Sequence, residues 1–360
     1  YEDTDGQPNQ LLEIPYVDRA TQFAQDLRLT SDFDGSLNFI LGAYYNREKV
    51  FNQTTFEIGK DIDSDGLPGV TDADCALGLP LGCLFDNSFD QLKKSFAVYS
   101  DVKFAVTDAV MLRGGLRYTH DTGSQTNFRS DALGPNHVLV VNLIPNSSLR
   151  YKTNNLSGKF GIDYKLDGGN LIYANYSRGY RAKSFNAQAF FDPSELSIAK
   201  PESVDAFELG AKTQFADRRI TLNMAGFYYK YRNQQFINIS PTTAAQTLEN
   251  IPRSRILGGE AELTARASDA VTIRAGIGLL DTKIQQGLVS GVNVAGNELS
   301  NAPSLTFNGG FDVTAIDSDA GKLSLHGDLA YSSSQYFEVI NIPRLKQKAY
   351  ALLSGHIDWE

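Results

Sequence analysis

The stretch Val271-Thr-Ile-Arg-Ala-Gly-Ile-Gly-Leu279 alternates apolar residues with polar or small ones at every second position. Successive side chains of a β-strand point to opposite faces, so this period of two predicts a strand with one apolar and one polar face. The same alternation recurs along the chain, around 96–104, 110–119, 305–314 and 323–331. A chain built from such segments is predicted to be all-β.

The lengths of these segments and of their connections indicate which kind of all-β protein this is. The alternating segments run for about 10 to 15 residues. This is long enough to cross a membrane, because a tilted membrane-spanning strand needs about 9 to 11 residues. Short turns, as at Thr107-Asp108 and Asp167-Gly168-Gly169, interleave with long polar segments. We predict long loops at about 53–90, 122–149, 181–202, 285–302 and 332–346. Short turns at one rim and long loops at the other are typical of transmembrane antiparallel up-and-down β-barrels.

Composition excludes several other classes of protein. The 360 residues include 31 Gly, 17 Tyr and 21 Phe, a mixture that suits strands and tight turns. No run of about 18 apolar residues occurs, so a helical membrane protein is excluded. The net charge of −9 and the dispersed basic residues argue against a nucleic-acid partner. The chain contains no Gly-x-Ser-x-Gly, phosphate-binding glycine loop or His-Glu-x-x-His, so we expect neither an enzyme nor an organic cofactor.

Tyrosines gather near the ends of the predicted strands, as in Tyr44-Tyr45, Tyr176, Tyr180 and the run 227–231. Aromatic rings with a polar tip form girdles where the hydrocarbon of a membrane meets its headgroups. Ordinary cross-strand aromatic packing would also place tyrosines in strands. Both interpretations remain open for any one of these residues.

Several segments carry a resemblance to a known family. The stretch Leu171-Ile-Tyr-Ala-Asn-Tyr-Ser-Arg-Gly-Tyr-Arg181, the following segment 201–212 and the segment 219–229 resemble three consecutive strands of TonB-dependent outer-membrane receptors. The segments 23–45 and 255–263 are similar to other strands of that family. The resemblance implies that residues 1–360 form part of a 22-stranded barrel, of which about 13 or 14 strands are present here.

The same resemblance implies a location and partners. The barrel is expected in the cell outer membrane of a Gram-negative bacterium, in contact with outer-membrane lipid and lipopolysaccharide. The family couples to the TonB complex through a plug domain, and nothing in this sequence resembles one. The implied function is import of a scarce small molecule or oligosaccharide, such as a siderophore, vitamin or carbohydrate. The alternatives are a plugless diffusion porin and a soluble or surface all-β binding module.

An acidic loop is a candidate cation site. The run Asp61-Ile-Asp-Ser-Asp-Gly66 places carboxylates at alternating positions with a glycine at the sixth, as at the start of a calcium-binding loop, and Asp72 falls at the twelfth. Asp61, Asp63, Asp65 and Asp72 would be the ligands of a structural calcium ion. A solvated acidic loop without calcium is the alternative, because the residues after Asp72 do not predict the usual helix.

The same predicted loop contains the only two cysteines, Cys75 and Cys83. An exported loop passes through an oxidising compartment, so we expect a disulfide between them. The four histidines occur singly along the chain, so the sequence predicts no zinc or redox site (His120, His137, His326, His356).

Two further sets of charged residues are candidates for contacts. Arg178, Arg181 and Lys183 end a predicted strand, where they could bind lipid phosphate or an anionic ligand, or extend to the membrane interface as long basic side chains commonly do. A second set lies on the polar face of predicted strands and could contact a plug or form pairs within the set (Asp101, Lys103, Arg113, Arg117).

Overall fold

The computed structural model describes residues 12–58, 84–133, 138–239 and 246–360. These residues are almost entirely β, with three short 3-10 turns at Asp167–Gly169, Pro193–Glu195 and Pro343–Leu345. No helix in this part of the chain is long and apolar enough to cross a membrane. The all-β prediction is confirmed.

One large antiparallel sheet organises the chain. Its main strands are β1 (Tyr16–Thr30), β2 (Leu37–Ile58), β3 (Leu84–Ala105), β4 (Val110–Leu133), β5 (Leu139–Lys165), β6 (Leu171–Arg181), β7 (Glu202–Phe215), β8 (Ile220–Ile239), β9 (Gln246–Ser268), β10 (Val271–Gln286), β11 (Leu305–Ser318), β12 (Gly321–Ser332) and β13 (Tyr350–Trp359). Strands that follow one another along the chain are paired in the sheet, which is an up-and-down order. The short stretch Leu12–Glu13 also pairs with β2, alongside β1. The sheet therefore counts fourteen strands, but two of them share one place in the strand order, which leaves thirteen places. This agrees with the 13 or 14 strands expected from the sequence.

The two ends of the sheet differ in their connections, as predicted. One end has short turns, for example between β5 and β6, where Gly168 and Gly169 have φ of +74° and +85°. Glycine tolerates this left-handed conformation because it has no Cβ. The opposite end has the long connections 182–201, 287–304 and 333–349, each containing a small two-stranded hairpin. We refer to these as the short-turn end and the long-loop end.

Two predicted loop boundaries are wrong. Residues 53–58 and 84–90 continue β2 and β3, and most of 122–149 belongs to β4 and β5, which reaches 27 residues. These polar segments were predicted to be loops because they lack an apolar face. Paired strands are held together by backbone hydrogen bonds, so strands that extend into water do not need an apolar face. Register shifts between Gln125 and Leu133 accommodate the irregular part of this extension.

The sheet has one apolar and one polar face, as the alternation predicts. On the apolar face Leu116, Leu156 and Leu209 are each at least 60% exposed. Exposed apolar area costs about 25 cal/mol per Å² in water, so a continuous face of this kind is stable against lipid hydrocarbon. The opposite face carries residues such as Asp101 and Lys159, which lie on neighbouring strands on either side of Gly115.

Aromatic rings lie across glycines on the neighbouring strand of the polar face. A Cβ at Gly42 would lie 2.1 Å from the Tyr99 ring, and one at Gly210 would lie 2.4 Å from the Tyr173 ring. Both pairs are directly opposite in register, so glycine leaves the space that the ring fills. Such ring-over-glycine pairs help to fix strand register.

Candidate functional site

The connection between β6 and β7, residues 182–201, folds back onto the strands and is called here the mouth loop. Asn87 Nδ2 of β3 donates to the carbonyl oxygens of Ala187 at 3.3 Å and Ala189 at 2.8 Å. Ser130 Oγ of β4 donates to the carbonyl of Phe190 at 2.7 Å. Asn87 and Ser130 are both fully buried, so these hydrogen bonds anchor the loop away from water.

Aromatic packing reinforces this anchorage. The ring centroids of Phe56 and Phe190 lie 4.4 Å apart, and those of Phe85 and Phe191 lie 5.1 Å apart. Contacts of this kind contribute about 0.5–1.5 kcal/mol beyond the area that they bury. The mouth loop is therefore a packed element with its own apolar core.

The carboxylate of Glu195 organises the centre of the mouth loop. It is 5% exposed and accepts hydrogen bonds from the backbone N–H groups of Phe190 at 3.0 Å, Phe191 at 3.1 Å and Asp192 at 2.9 Å. Asp192 and Glu195 form a capping box, and the Asp192 carboxylate also accepts from the Ser194 N–H at 2.7 Å. These bonds to Ser194 hold the pKa of the Asp192 carboxyl below its usual value.

The mouth loop covers the polar face of the sheet. Phe85, Asn87, Tyr99 and Asp101 all occupy alternate positions of β3. Side chains at alternate positions of a strand share a face, so the loop lies on the same side as these polar residues. It therefore narrows the long-loop end from the inside.

A second buried cluster lies at the same end. Ile284 of β10 is fully buried among apolar residues of the connections 287–304 and 333–349 (Val289, Val294, Leu299, Val339). Asn297 Nδ2 donates to the carbonyl oxygens of Val339 at 3.0 Å and Ile340 at 3.1 Å, which joins the two connections. Three long connections thus form a structured mouth at the long-loop end.

Below the mouth, the polar face carries a network of charged and aromatic groups. The Tyr99 hydroxyl donates to Asp26 at 2.8 Å and accepts from Arg28 Nε at 3.0 Å. The Arg117 guanidinium lies over the rings of Tyr44 and Tyr99, at 5.2 Å and 5.5 Å from their centroids. Asp26, Arg28, Tyr99 and Arg117 border a recess of about 720 Å³.

Asp101, Lys103, Arg113 and Arg117, which the sequence placed on a polar face, do share one face. The ion pairs do not form within the set, and contact with a plug remains a prediction. Asp101 pairs with Lys159 at 2.5 Å, and Arg113 pairs with Asp163 at 2.6 Å and donates to Asn175 at 2.9 Å. The Asp101–Lys159 pair connects β3 to β5 across β4. The contacts of Arg113 connect β4 to β5 and β6.

Arg178 lies on the opposite, apolar face with the buried carboxylate of Asp205. Its guanidinium is 3.8 Å from Asp205, which also pairs with Arg232 at 2.7 Å and accepts from the Tyr176 hydroxyl at 2.9 Å. Tyr176 packs against Phe207 with centroids 5.1 Å apart, so cross-strand packing does occur at this tyrosine. Contact of Arg178, Arg181 or Lys183 with lipid or an anion remains a prediction.

The interpretation of the histidines as isolated is wrong for two of them. His326 of β12 and His356 of β13 are direct cross-strand partners, and their rings stack with centroids 4.3 Å apart. The sequence did not reveal this because the register between these strands depends on the connection 333–349.

The proposed calcium ligands and the two cysteines lie outside the described residues (Asp61, Asp63, Asp65, Asp72, Cys75, Cys83). The calcium site and the disulfide remain predictions.

Comparison with known proteins agrees with this geometry. A family model described as TonB dependent receptor-like, β-barrel, matches residues 2–360. The probable TonB-dependent siderophore receptor PiuA of Acinetobacter baumannii is 27% identical over 291 residues, covering 73% of this chain and 36% of that protein. The pesticin receptor of Yersinia enterocolitica is 24% identical over 271 residues, covering 74% and 37%.

A solved structure also shares the fold. The ferric yersiniabactin uptake receptor FyuA of Yersinia pestis superposes with a TM-score of 0.74 at 19% identity, over 98% of this chain and 48% of that one. The chain belongs to the TonB-dependent receptor β-barrel family. It spans just over a third of the length of the curated relatives described above. The polar face is accordingly the inner, lumenal face of a barrel wall, and the apolar face is the outer one.

Proposed function

We propose that the complete protein is a TonB-dependent importer in the outer membrane of a Gram-negative bacterium, and that it takes up a ferric siderophore or a similar scarce solute. The match of the family model across nearly the whole chain carries this proposal. The named relatives are receptors, two of them for siderophore-type solutes by name. Lipid, lipopolysaccharide and the TonB complex are the expected partners.

The geometry supports import over free diffusion. The mouth loop and the connections 287–304 and 333–349 narrow the barrel entrance, and they pack through buried apolar clusters. A diffusion porin keeps a water-filled channel, whereas a receptor needs a structured surface that contacts its solute. The recess below the mouth has Arg28, Lys103, Arg117 and Lys159 in its lining against two carboxylates, which favours anionic groups on the solute.

Energised uptake tests this function. The gene is deleted in its native host, and accumulation of radioactive iron is measured with a panel of ferric siderophores, with and without a protonophore. We expect at least one complex whose uptake is lost in the deletion strain, restored by the wild-type gene and abolished by the protonophore. Uptake that depends on the gene but survives the protonophore would support a porin instead. No gene-dependent uptake of any complex would contradict the siderophore assignment.

A further inference from the structure

Three side chains of the types that bind metal ions meet on the lumenal face near the short-turn end. The antiparallel register pairs His326 of β12 with His356 of β13, and Asp358 lies two positions further along β13 on the same face. The two imidazole rings are nearly parallel, with an interplanar angle of 11°. This cluster lies far along the chain from the residues of the mouth loop, and the proposed import function does not use it.

The distances suit a bound metal ion. His326 Nε2 and His356 Nε2 each lie 3.3 Å from the same oxygen of Asp358, and the three donor atoms all lie within 4.8 Å of one another. Two donors at about 2.0–2.1 Å from a tetrahedral zinc ion are about 3.4 Å apart. The histidine–carboxylate separations therefore match those of a first coordination sphere.

A neighbouring carboxylate orients His326. Asp312 of β11 lies 2.6 Å from His326 Nδ1 and is itself paired with Arg274 of β10. When Nδ1–H donates to Asp312, Nε2 of His326 carries a lone pair, lies 3.3 Å from an oxygen of Asp358 and is free to bind a metal. A carboxylate behind a metal-binding histidine is the common arrangement that fixes the tautomer and ring orientation.

We propose that His326, His356 and Asp358 bind one divalent transition-metal ion of the zinc class on the inner wall of the barrel, with Asp312 as a positioning residue. Imidazole nitrogen together with a carboxylate favours zinc and its neighbours over calcium or magnesium, which prefer oxygen ligands alone. Three protein ligands leave a fourth position that faces the lumen.

The cluster lies on the lumenal face of β12 and β13, which a barrel of this kind presents to water. His326 is 25% exposed, whereas Asp358 and His356 are 52% and 62% exposed. The stacked rings hold their Nε2 lone pairs side by side, so convergence on one ion requires the His356 ring to turn. Rotation about χ2 supplies this turn, because that torsion of a histidine side chain has a broad energy minimum.

A cluster without metal is the competing arrangement. A protonated His326 between Asp312 and Asp358 would satisfy the same contacts as a charged hydrogen-bond network. Zinc binding distinguishes the two arrangements. Only the metal site binds a zinc ion with a stoichiometry that depends on His356 and Asp358.

The test uses the complete receptor, extracted from outer membranes in detergent with a histidine-free affinity tag and dialysed against a chelator. Zinc is then titrated calorimetrically into wild type, H326Q, H356Q, D358N and D312N. We expect wild type to bind one more zinc equivalent than H356Q or D358N, or to bind it at least ~10-fold more tightly. D312N should retain the site with an affinity about 10- to 100-fold lower.

His120→Gln is the matched control, since His120 of β4 lies on the outer face with Nδ1 2.6 Å from Asn154. H120Q should bind zinc as wild type does. Cobalt provides a second readout, because its visible absorption bands in wild type should be lost in H356Q and D358N. Should H326Q fail to assemble, H356Q and D358N decide the outcome, because neither replaces a member of the Arg274–Asp312–His326 network. Equal zinc stoichiometry and affinity in wild type, H356Q and D358N would overturn the proposal.

Discussion

At the scale of single residues, the shape of the mouth depends on a few buried polar groups. Glu195 is the clearest case, because one carboxylate satisfies three backbone N–H groups that the turn of the mouth loop would otherwise leave unpaired. Leaving a buried backbone donor without a partner costs about 1–3 kcal/mol. The stability of the loop therefore depends on this side chain more than on its exposed neighbours.

Replacing Glu195 with glutamine should loosen the mouth loop without unfolding the barrel. The glutamine amide retains one acceptor oxygen but presents an N–H₂ group to a backbone donor. We expect protease cleavage or amide exchange within 186–196 to become about 5- to 150-fold faster, the range that corresponds to about 1–3 kcal/mol. D319N, at an exposed turn of the short-turn end, should leave these rates unchanged. Equal rates in E195Q and wild type would show that the carboxylate does not hold the loop.

Sequence and structure agree unevenly at this scale. The Asp192-Pro-Ser-Glu195 capping box is legible in the sequence, because its residue types and spacing are local. The polar face of Asp101, Lys103, Arg113 and Arg117 was also predictable from the alternation. The pairing of His326 with His356 was not, since it requires the register of two strands separated by the connection 333–349.

At the scale of strands, register is fixed by ring-over-glycine pairs as well as by the ladder. Tyr99 lies across Gly42 and donates to Asp26, which joins β1, β2 and β3 on the lumenal face. A methyl group at Gly42 would collide with the ring and displace it from Asp26. The glycine and the tyrosine therefore act together.

Gly42→Ala should destabilise the barrel by about 1–3 kcal/mol, as overpacking typically does. The measurement is the temperature at which the folded protein loses its compact migration in detergent gels. Gly114→Ala is the matched control, because it is a strand glycine with nothing within 4 Å of an added Cβ. Its effect should stay within about 0.5 kcal/mol. An equal loss of stability in both variants would mean that replacing any strand glycine has this effect, and that the collision with Tyr99 is not its cause.

Strand identity was more predictable than strand length. Alternation and short Asp/Gly turns mark the membrane-spanning part because each position there faces either lipid or lumen. Beyond that part, β4 and β5 continue as a polar ladder in which both faces meet water or the mouth loop. No period of two in hydropathy remains to mark their ends, so the loop at 122–149 was placed too early.

At the scale of the whole molecule, the structure divides into a membrane wall and a mouth. The wall buries few side chains and presents apolar residues outward, whereas the buried apolar clusters lie at the long-loop end. Solute contact and solute passage are therefore expected to depend on different parts of the chain.

Deleting the centre of the mouth loop, residues 186–196, should separate these roles. We expect the variant to assemble in the outer membrane with wild-type gel migration, since none of the thirteen main strands is cut. Uptake of the solute at limiting concentration should fall at least ~10-fold. Unchanged uptake would mean that the loop makes no contribution to capture.

Cysteine labelling tests the central claim, that this sheet is a membrane barrel wall with a polar lumen. In a C75S/C83S background, single cysteines replace Arg117, Lys159 and Glu208 on the inner face and their neighbours Leu116, Phe160 and Leu209 on the outer face. Native outer membranes are treated with a small, charged maleimide. We expect inner-face cysteines to react at least ~10-fold faster than outer-face ones, which lie in hydrocarbon. Equal reactivity of the two faces would contradict the membrane-barrel account.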